Sequence, residues 1–450
     1  MTFITRVNMI AGRRMVVFLT AVVLLGTGAG LPEVCLGSNL NEPKRAAVVD
    51  AVSAKLRELY VYPEIGERMA MLISGRLENG EYDAIQTLES YVGQLNIDML
   101  SVFPDGHLEV NVLRDRGPGR SSSQEWWAEY SENSRFNNFG FHRLDRLPGN
   151  VGYLELTGFD YPELAGDTLT VTMRYLQNTD ALIIDLRQNS GGRGELVQIL
   201  LSYFFEDHRV HYLTELDRVR KTERQWWTLP YVPGKRRPDT PLYVLTSVNT
   251  GSAAEEFAFA LKNQGRATIV GGKTAGAAHK THRHVIADLN IEIYMPDGRS
   301  YDPVSNKDWE GVGVTPDIPV EPARALDVAH VEALEKLLED EEDANRRFRF
   351  EWALRALSSR QAPTQLDKKA MQRYVGVYGT RTISLKGNSL YYQRENRPRF
   401  KLVPLGDDWF RLQDLDYLRI RFEAGEDGAI TTLVSVYDDG SENPSERSTN

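Results

Sequence analysis

Between about residues 139 and 320, short runs of continuous apolar residues alternate with segments of helical periodicity, and this alternation limits the fold most. Strands are expected at Gly152–Leu156, Ala181–Leu186, Tyr243–Thr246 and Thr268–Val270. Helices are expected between them, at Asp167–Gln177, Glu195–Phe205 and Ala253–Lys262. A strand that is apolar at every position, rather than every second one, is covered on both faces. Such strands separated by helices predict an α/β core with buried strands.

Different patterns flank this core. From about Lys44 to Val102 the chain reads as helical, with Val48, Val49, Val52, Leu56, Leu59 and Tyr60 at three- and four-residue spacing. Similar stripes run through Met69–Leu77 and Ile85–Met99, and a strand-like Leu108–Val112 follows Pro104-Asp105-Gly106-His107. Arg114–Asn138 is polar and carries Gly117, Pro118, Gly119 and a run of serines, which predicts a loop. A charged helix over about Ala323–Ser358 is expected as a connector. Beyond Pro363 come short strands and turns, at Thr382–Leu385, Leu390–Tyr392 and Leu418–Phe422, which predict a small all-β sandwich or barrel. The expected division is a signal peptide at 1–38, an N-terminal helical domain at 40–115 and an α/β core at 135–325. A helical connector at 326–360 and a C-terminal β module at 363–445 complete it. A chain of 450 residues is long enough for two or three domains.

Charge and composition exclude some functions. With 53 Lys and Arg against 63 Asp and Glu, the net charge is -10, which argues against nucleic acid as a partner. Arg6, Arg13 and Arg14 precede the apolar run Met15–Leu25 and the small residues Gly26–Gly30, the order of a secretory signal. Beyond that signal no run is apolar enough to span a bilayer. Cys35 is the only cysteine, so no intrachain disulfide forms, and it reads as incidental. The mature protein is expected to be exported, periplasmic or extracellular.

Four separated segments carry candidate chemistry. Ser252 follows the apolar run Pro241–Thr246 and directly precedes a helix, so it is either an N-cap or a nucleophile presented on a tight turn. Asp185–Gly192 runs a strand into the pair Gly191-Gly192, either a tight turn or a place where backbone N–H groups face an oxyanion. His107, one of eight histidines, is either an ordinary surface residue or a general base. Glu310, before Gly311-Val312-Gly313-Val314-Thr315-Pro316-Asp317, is either a solvated carboxylate or the group that orients an imidazole. His279, His282 and His284 form a cluster, but no cysteine or carboxylate joins them at convincing spacing. No metal and no cofactor are expected, and His279 is assigned instead to the wall of the cleft.

Taken together these segments resemble the tail-specific, or carboxyl-terminal-processing, serine peptidases, a family that includes tricorn protease. The branch they resemble most is that of interphotoreceptor retinoid-binding protein. The likeness lies in Leu59–Glu64, Asp105–Leu108, Gly149–Leu154, Asp185–Gly192, Thr250–Ala254 and Gly313–Asp317, in family order. It implies a core of crotonase-like ββα units. It also implies Ser252 as nucleophile, with the oxyanion held by Ala253 N–H and a glycine N–H from Gly191 or Gly192. In the processing proteases the base is a lysine 25 residues after the serine; that position here is Ala277, so the serine–lysine dyad is absent. The tricorn-like arrangement fits instead, with His107 as base and Glu310 in its network, although Gly106 stands where tricorn-type sites carry a serine. Only about 40 residues separate His107 from Gly152, too few for the peptide-binding PDZ module that such proteases often carry. The expected activity is hydrolysis of a peptide or protein substrate through an acyl-enzyme. The alternatives are a non-catalytic carrier of retinoid or fatty acid on the same fold, and an esterase for small acyl substrates.

Overall fold

The computed structural model describes residues 40–113, 123–361 and 364–448. The expected signal peptide lies outside them.

The strands Ala181–Asp185 and Leu242–Thr246 are buried at all five positions each, as continuous apolar runs demand. They form the middle of a six-stranded sheet ordered Ile318–Pro319, Thr268–Gly271, Leu242–Thr246, Ala181–Asp185, Val151–Leu156, Phe141–Leu147. Every pairing is parallel except that of the edge strand Phe141–Leu147. On one face Leu154, Leu182, Ile184 and Val244 pack with the helices Pro162–Leu176, Gly194–Ser202 and Ala253–Asn263. On the other, Tyr153, Ile183, Leu245 and Val270 meet the helices Ala325–Glu339 and Ala344–Gln361. The segment expected as a single connecting helix is therefore two helices that cover a face of the sheet. They break at Asp340-Glu341-Glu342-Asp343, where four adjacent acids repel one another.

A second sheet stands beside the first and was not foreseen as a sheet. Ile291–Tyr301 is its spine, pairing antiparallel with Glu109–Val112, His279–Ile286 and His211–Asp217, the last of which also pairs with Thr222–Trp227. Its Ile291, Ile293 and Met295 fill the core of the helices Glu42–Leu59, Pro63–Glu78 and Leu88–Val102. The N-terminal helices thus bury their apolar faces against a strand that arrives some 200 residues later.

One expectation is overturned. Ser123–Phe136, placed within the loop at Arg114–Asn138, is a helix. Its Trp127 and Tyr130 rings stack and both meet Tyr161 edge-on, so long-range aromatic packing supplies what a polar sequence conceals. The C-terminal region is an eight-stranded antiparallel meander in sequence order, from Gly376–Tyr378 to Glu442–Glu446. A bridge between Tyr378 and Arg447 brings its two ends together, which nearly closes it into a barrel.

Candidate active site

Ser252 ends the turn that follows strand Leu242–Thr246, and its backbone stands at φ 49°, ψ −121° immediately before helix Ala253–Asn263. A non-glycine residue there is strained, and a cap does not require it. The surrounding bonds hold the strain in place. Thr250 Oγ1 donates to the Leu186 carbonyl at 2.8 Å, and Gly251 N–H donates to the Asn189 carbonyl at 3.0 Å. Glu255, fully buried, accepts from the N–H groups of Ser252, Gly276 and Ala277 and from Thr274 Oγ1, at 2.5–2.9 Å. One carboxylate thereby ties the serine turn to the chain that begins strand His279–Ile286.

The double glycine lies against this turn. Gly191 and Gly192 have φ 117° and 135°. A Cβ at Gly191 would fall 2.7 Å from Ser252 Cβ, and one at Gly192 would collide with the Phe159 carbonyl. Only glycine lets the two turns approach so closely. The Gly191 N–H is taken by Asn189 Oδ1 at 2.9 Å, so the expectation that either glycine is free to hold an oxyanion narrows to Gly192. Among the described residues no protein acceptor takes the N–H of Gly192 or of Ala253. Asn189 is wholly buried, with its amide on the Leu156 carbonyl at 2.9 Å.

His107, Gly192, Ser252, Ala253, Ala277 and His279 line one cavity of about 380 Å³. Glu310 stands behind it, buried, with Oε2 accepting from Ala278 N–H at 2.6 Å and His279 N–H at 2.8 Å, and Oε1 accepting from Gly106 N–H at 3.2 Å. His107 Nδ1 lies 3.8 Å from Glu310 Oε2, a charge contact rather than a hydrogen bond. Burial alone would lower the His107 pKa, but the carboxylates of Glu310, Asp105 and Glu255 outweigh it, and the value is raised above the ordinary imidazole range.

Behind His107 is a group that the sequence reading did not identify. Asp105 Oδ2 bonds His279 Nδ1 at 2.7 Å and accepts from Tyr60 OH at 2.8 Å, while Asp105 Oδ1 accepts from His107 N–H at 2.9 Å. Burial raises the Asp105 pKa, but these partners, His279 foremost, bring it below the ordinary carboxylate value. The His279 ring is fully buried, and its Nε2 has no partner among the described residues. Asp105 and His279 are 174 residues apart, so no local signal pairs them. Asp105, His279 and Glu310 place ligand-type atoms within 4.8 Å of one another. Asp105 and His279 bond each other directly, however, and Glu310 is occupied by backbone N–H groups, so a hydrogen-bonded network accounts for the trio. His282 is bonded to Asp297 at 2.7 Å.

Nine buried side-chain polar atoms lack a partner among the described residues, and five of them belong to residues lining this one cavity: His107, Trp226, Glu256, His279 and Trp309. Unsatisfied buried polar atoms are uncommon, and their gathering here marks a place built for polar contacts. The structure thus brings Ser252, His107, Gly192 and Ala253 to one cavity with Glu310 against it.

Residues 150–320 match the family described as Peptidase family S41. The chain is 29% identical over 218 residues to a carboxyl-terminal-processing protease of Picosynechococcus, covering 45% of this chain and 49% of that one. It is 32% identical over 183 residues to a carboxyl-terminal-processing protease of Synechocystis, covering 39% and 40%. The matches thus span half or less of these relatives' length. Among solved structures, a photosystem II D1 C-terminal processing protease aligns with a TM-score of 0.40 at 16% identity, over 62% of this chain and 93% of that one. No helix among the described residues is long and apolar enough to cross a membrane.

Proposed function

We propose, from the premise that residues 150–320 belong to peptidase family S41 and place the chain among the tail-specific proteases, that it is an exported serine peptidase with Ser252 as nucleophile. The observation that carries the reading is the strained Ser252 backbone at a helix N-terminus, in one cavity with His107 and the free N–H groups of Gly192 and Ala253. His107 takes the Ser252 proton as Oγ attacks the peptide carbonyl carbon. The oxyanion is held by Gly192 and Ala253 N–H, aided by the helix dipole. The C–N bond then breaks, and the imidazolium returns its proton to the leaving amine. Water, deprotonated by His107, hydrolyses the ester and restores Ser252. Glu310 favours the imidazolium by charge, and Asp105 with His279 holds the 105–107 turn in place. We assign residues 135–325 as the peptidase core of crotonase-like ββα units, 40–115 as the helical domain, 326–360 as the helix pair that covers the sheet and 363–445 as the β module. The charged lining of the cavity does not suit a carrier of retinoid or fatty acid.

Mature protein should label with a fluorophosphonate probe, and Ser252→Ala should abolish the labelling. Undiminished labelling of that variant, or none of the wild type, rejects the assignment.

A further inference from the structure

Glu256 lies four residues beyond Ser252, one turn along the same face of helix Ala253–Asn263. It has no role in the chemistry above, yet it lines the same cavity. Only 8% of the residue is exposed, and its Oε1 has no partner. A carboxylate so placed is costly unless a cation meets it. Its other neighbours do not supply one. Glu215, on the cavity wall, is paired with Lys280 at 3.5 Å. Arg224 lies 3.7 Å over the Trp226 ring, and Arg193 engages Tyr161, 3.8 Å over its ring. The wall carries three acids, Glu195, Glu215 and Glu256, and three bases, Arg193, Arg224 and Lys280, so its formal charges balance. Glu256 is the most deeply buried of these acids, and among the described residues nothing bonds its Oε1.

From this geometry we infer that the pocket beside Ser252 receives a lysine or arginine side chain of the substrate, so that cleavage follows a basic residue. The inference rests on Ser252 being the nucleophile. The cationic head meets Glu256, and the methylene stem lies along the edges of Trp226 and Trp309, which line the same cavity. Gly194 lines the same cavity, and a Cβ there would come within 3.4 Å of Glu256 Oε2. An apolar side chain would seal Glu256 without a partner, and an acidic one would add negative charge beside Glu195 and Glu215. Burial, and then Glu215 and Glu195, push the Glu256 pKa well above the carboxylate range despite Arg224 and Lys280. The empty pocket therefore holds a neutral acid, which ionises when a cation enters.

The test is a set of peptidyl aminocoumarins identical except for the residue before the scissile bond: lysine, arginine, norleucine or glutamate. On wild-type mature protein, kcat/KM for lysine or arginine should exceed that for norleucine by about tenfold or more, with glutamate lowest. Glu256→Gln should bring the lysine-to-norleucine ratio to within about threefold, and the ratio reads preference whatever the overall rate. A wild-type preference for norleucine overturns the inference, as does an unchanged ratio in Glu256→Gln. Should that variant not fold, the wild-type ranking decides alone. Absence of Ser252-dependent fluorophosphonate labelling would instead reject the nucleophile. In that case, fluorescence anisotropy of the lysine and norleucine peptides on Ser252→Ala still decides whether the pocket binds cations.

Discussion

Three glutamates near the serine have three environments, and each sets a different experiment. Glu255 accepts four hydrogen bonds without exposure, and its removal leaves the Ser252, Gly276 and Ala277 N–H groups unpaired, that of Gly276 buried. Glu255→Ala should cost about 3 kcal/mol or more, read as a lowered denaturation midpoint at unchanged m-value; a loss below about 1 kcal/mol would contradict the structural role. Glu310 raises the His107 pKa, and the base works only when neutral, so the acid limb of the kcat/KM profile should lie above 6.5. Glu310→Gln should move that limb to lower pH while slowing the reaction; a limb that stays in place would remove Glu310 from the network. The same raised value makes protonated His107 stabilising below about 6.5, a contribution lost as pH climbs through the folded pKa. Glu256 titrates the other way round for an acid, because burial foremost raises its folded pKa. The unfolded chain releases that proton first, so stability falls as pH rises above about 4.5. Glu256→Gln should therefore be more stable than wild type at pH 7 and equal to it near pH 4 in thermal unfolding; a constant difference across that range would mean that the fold does not shift the Glu256 pKa. Ser252, His107, Glu310 and Gly192 were legible as a set only through the resemblance of their segments, in order, to one family; each alone left an ordinary structural reading open. His279 was legible only as part of the cleft wall, and Asp105, Glu255 and Glu256 were not, because a charged residue in a loop or helix pattern reads as solvated until distant chain covers it.

Elements were legible where one local rule decided them. Strands Ala181–Asp185 and Leu242–Thr246 are covered on both faces, and helix Ala253–Asn263 packs a continuous apolar face, so their patterns appear in the residues themselves. The second sheet was obscured because His279–Ile286 and Thr222–Trp227 are largely polar and owe their order to neighbouring strands. Helix Ser123–Phe136 was hidden by its polar sequence and by the glycines before it. Its anchor is the Trp127–Tyr130–Tyr161 cluster, with ring centroids 5.0–5.9 Å apart, and Tyr161 in turn carries Arg193 beside the Gly192 turn. Trp127→Ala should release this helix, on the order of 1–2 kcal/mol, while the parallel sheet stays intact. Hydrogen exchange should quicken across residues 123–136 and remain slow in 181–185 and 242–246. Uniform quickening through all three segments would show that the helix is part of the global unfolding unit.

Helix Ala344–Gln361 joins the two ends of the molecule by having two apolar faces. Phe350, Ala353 and Leu357 pack into the core under the parallel sheet. Phe348, Trp352 and Arg355, one step round the helix, face the C-terminal meander: Arg419 lies 3.7 Å over the Trp352 ring, and Arg355 lies 5.0 Å over Trp409. A helix apolar on opposite sides with arginines between them shows no single stripe, which is why it reads as a charged connector. The meander has its own core, built on Ile383, Phe410, Leu412, Ile420, Phe422 and Leu433, so its unfolding is coupled to the rest mainly through this helix. Trp352 is the largest side chain that the helix contributes to that coupling. Its truncation to alanine should remove about 2 kcal/mol from the coupling and leave both cores in place. Calorimetry of wild type should then show one dominant transition, and Trp352→Ala should show two, the earlier one belonging to residues 364–448. Fluorophosphonate labelling of Ser252 should survive the first transition and vanish in the second. Loss of labelling with the first transition would mean that the meander also supports the cleft, by contacts other than this helix.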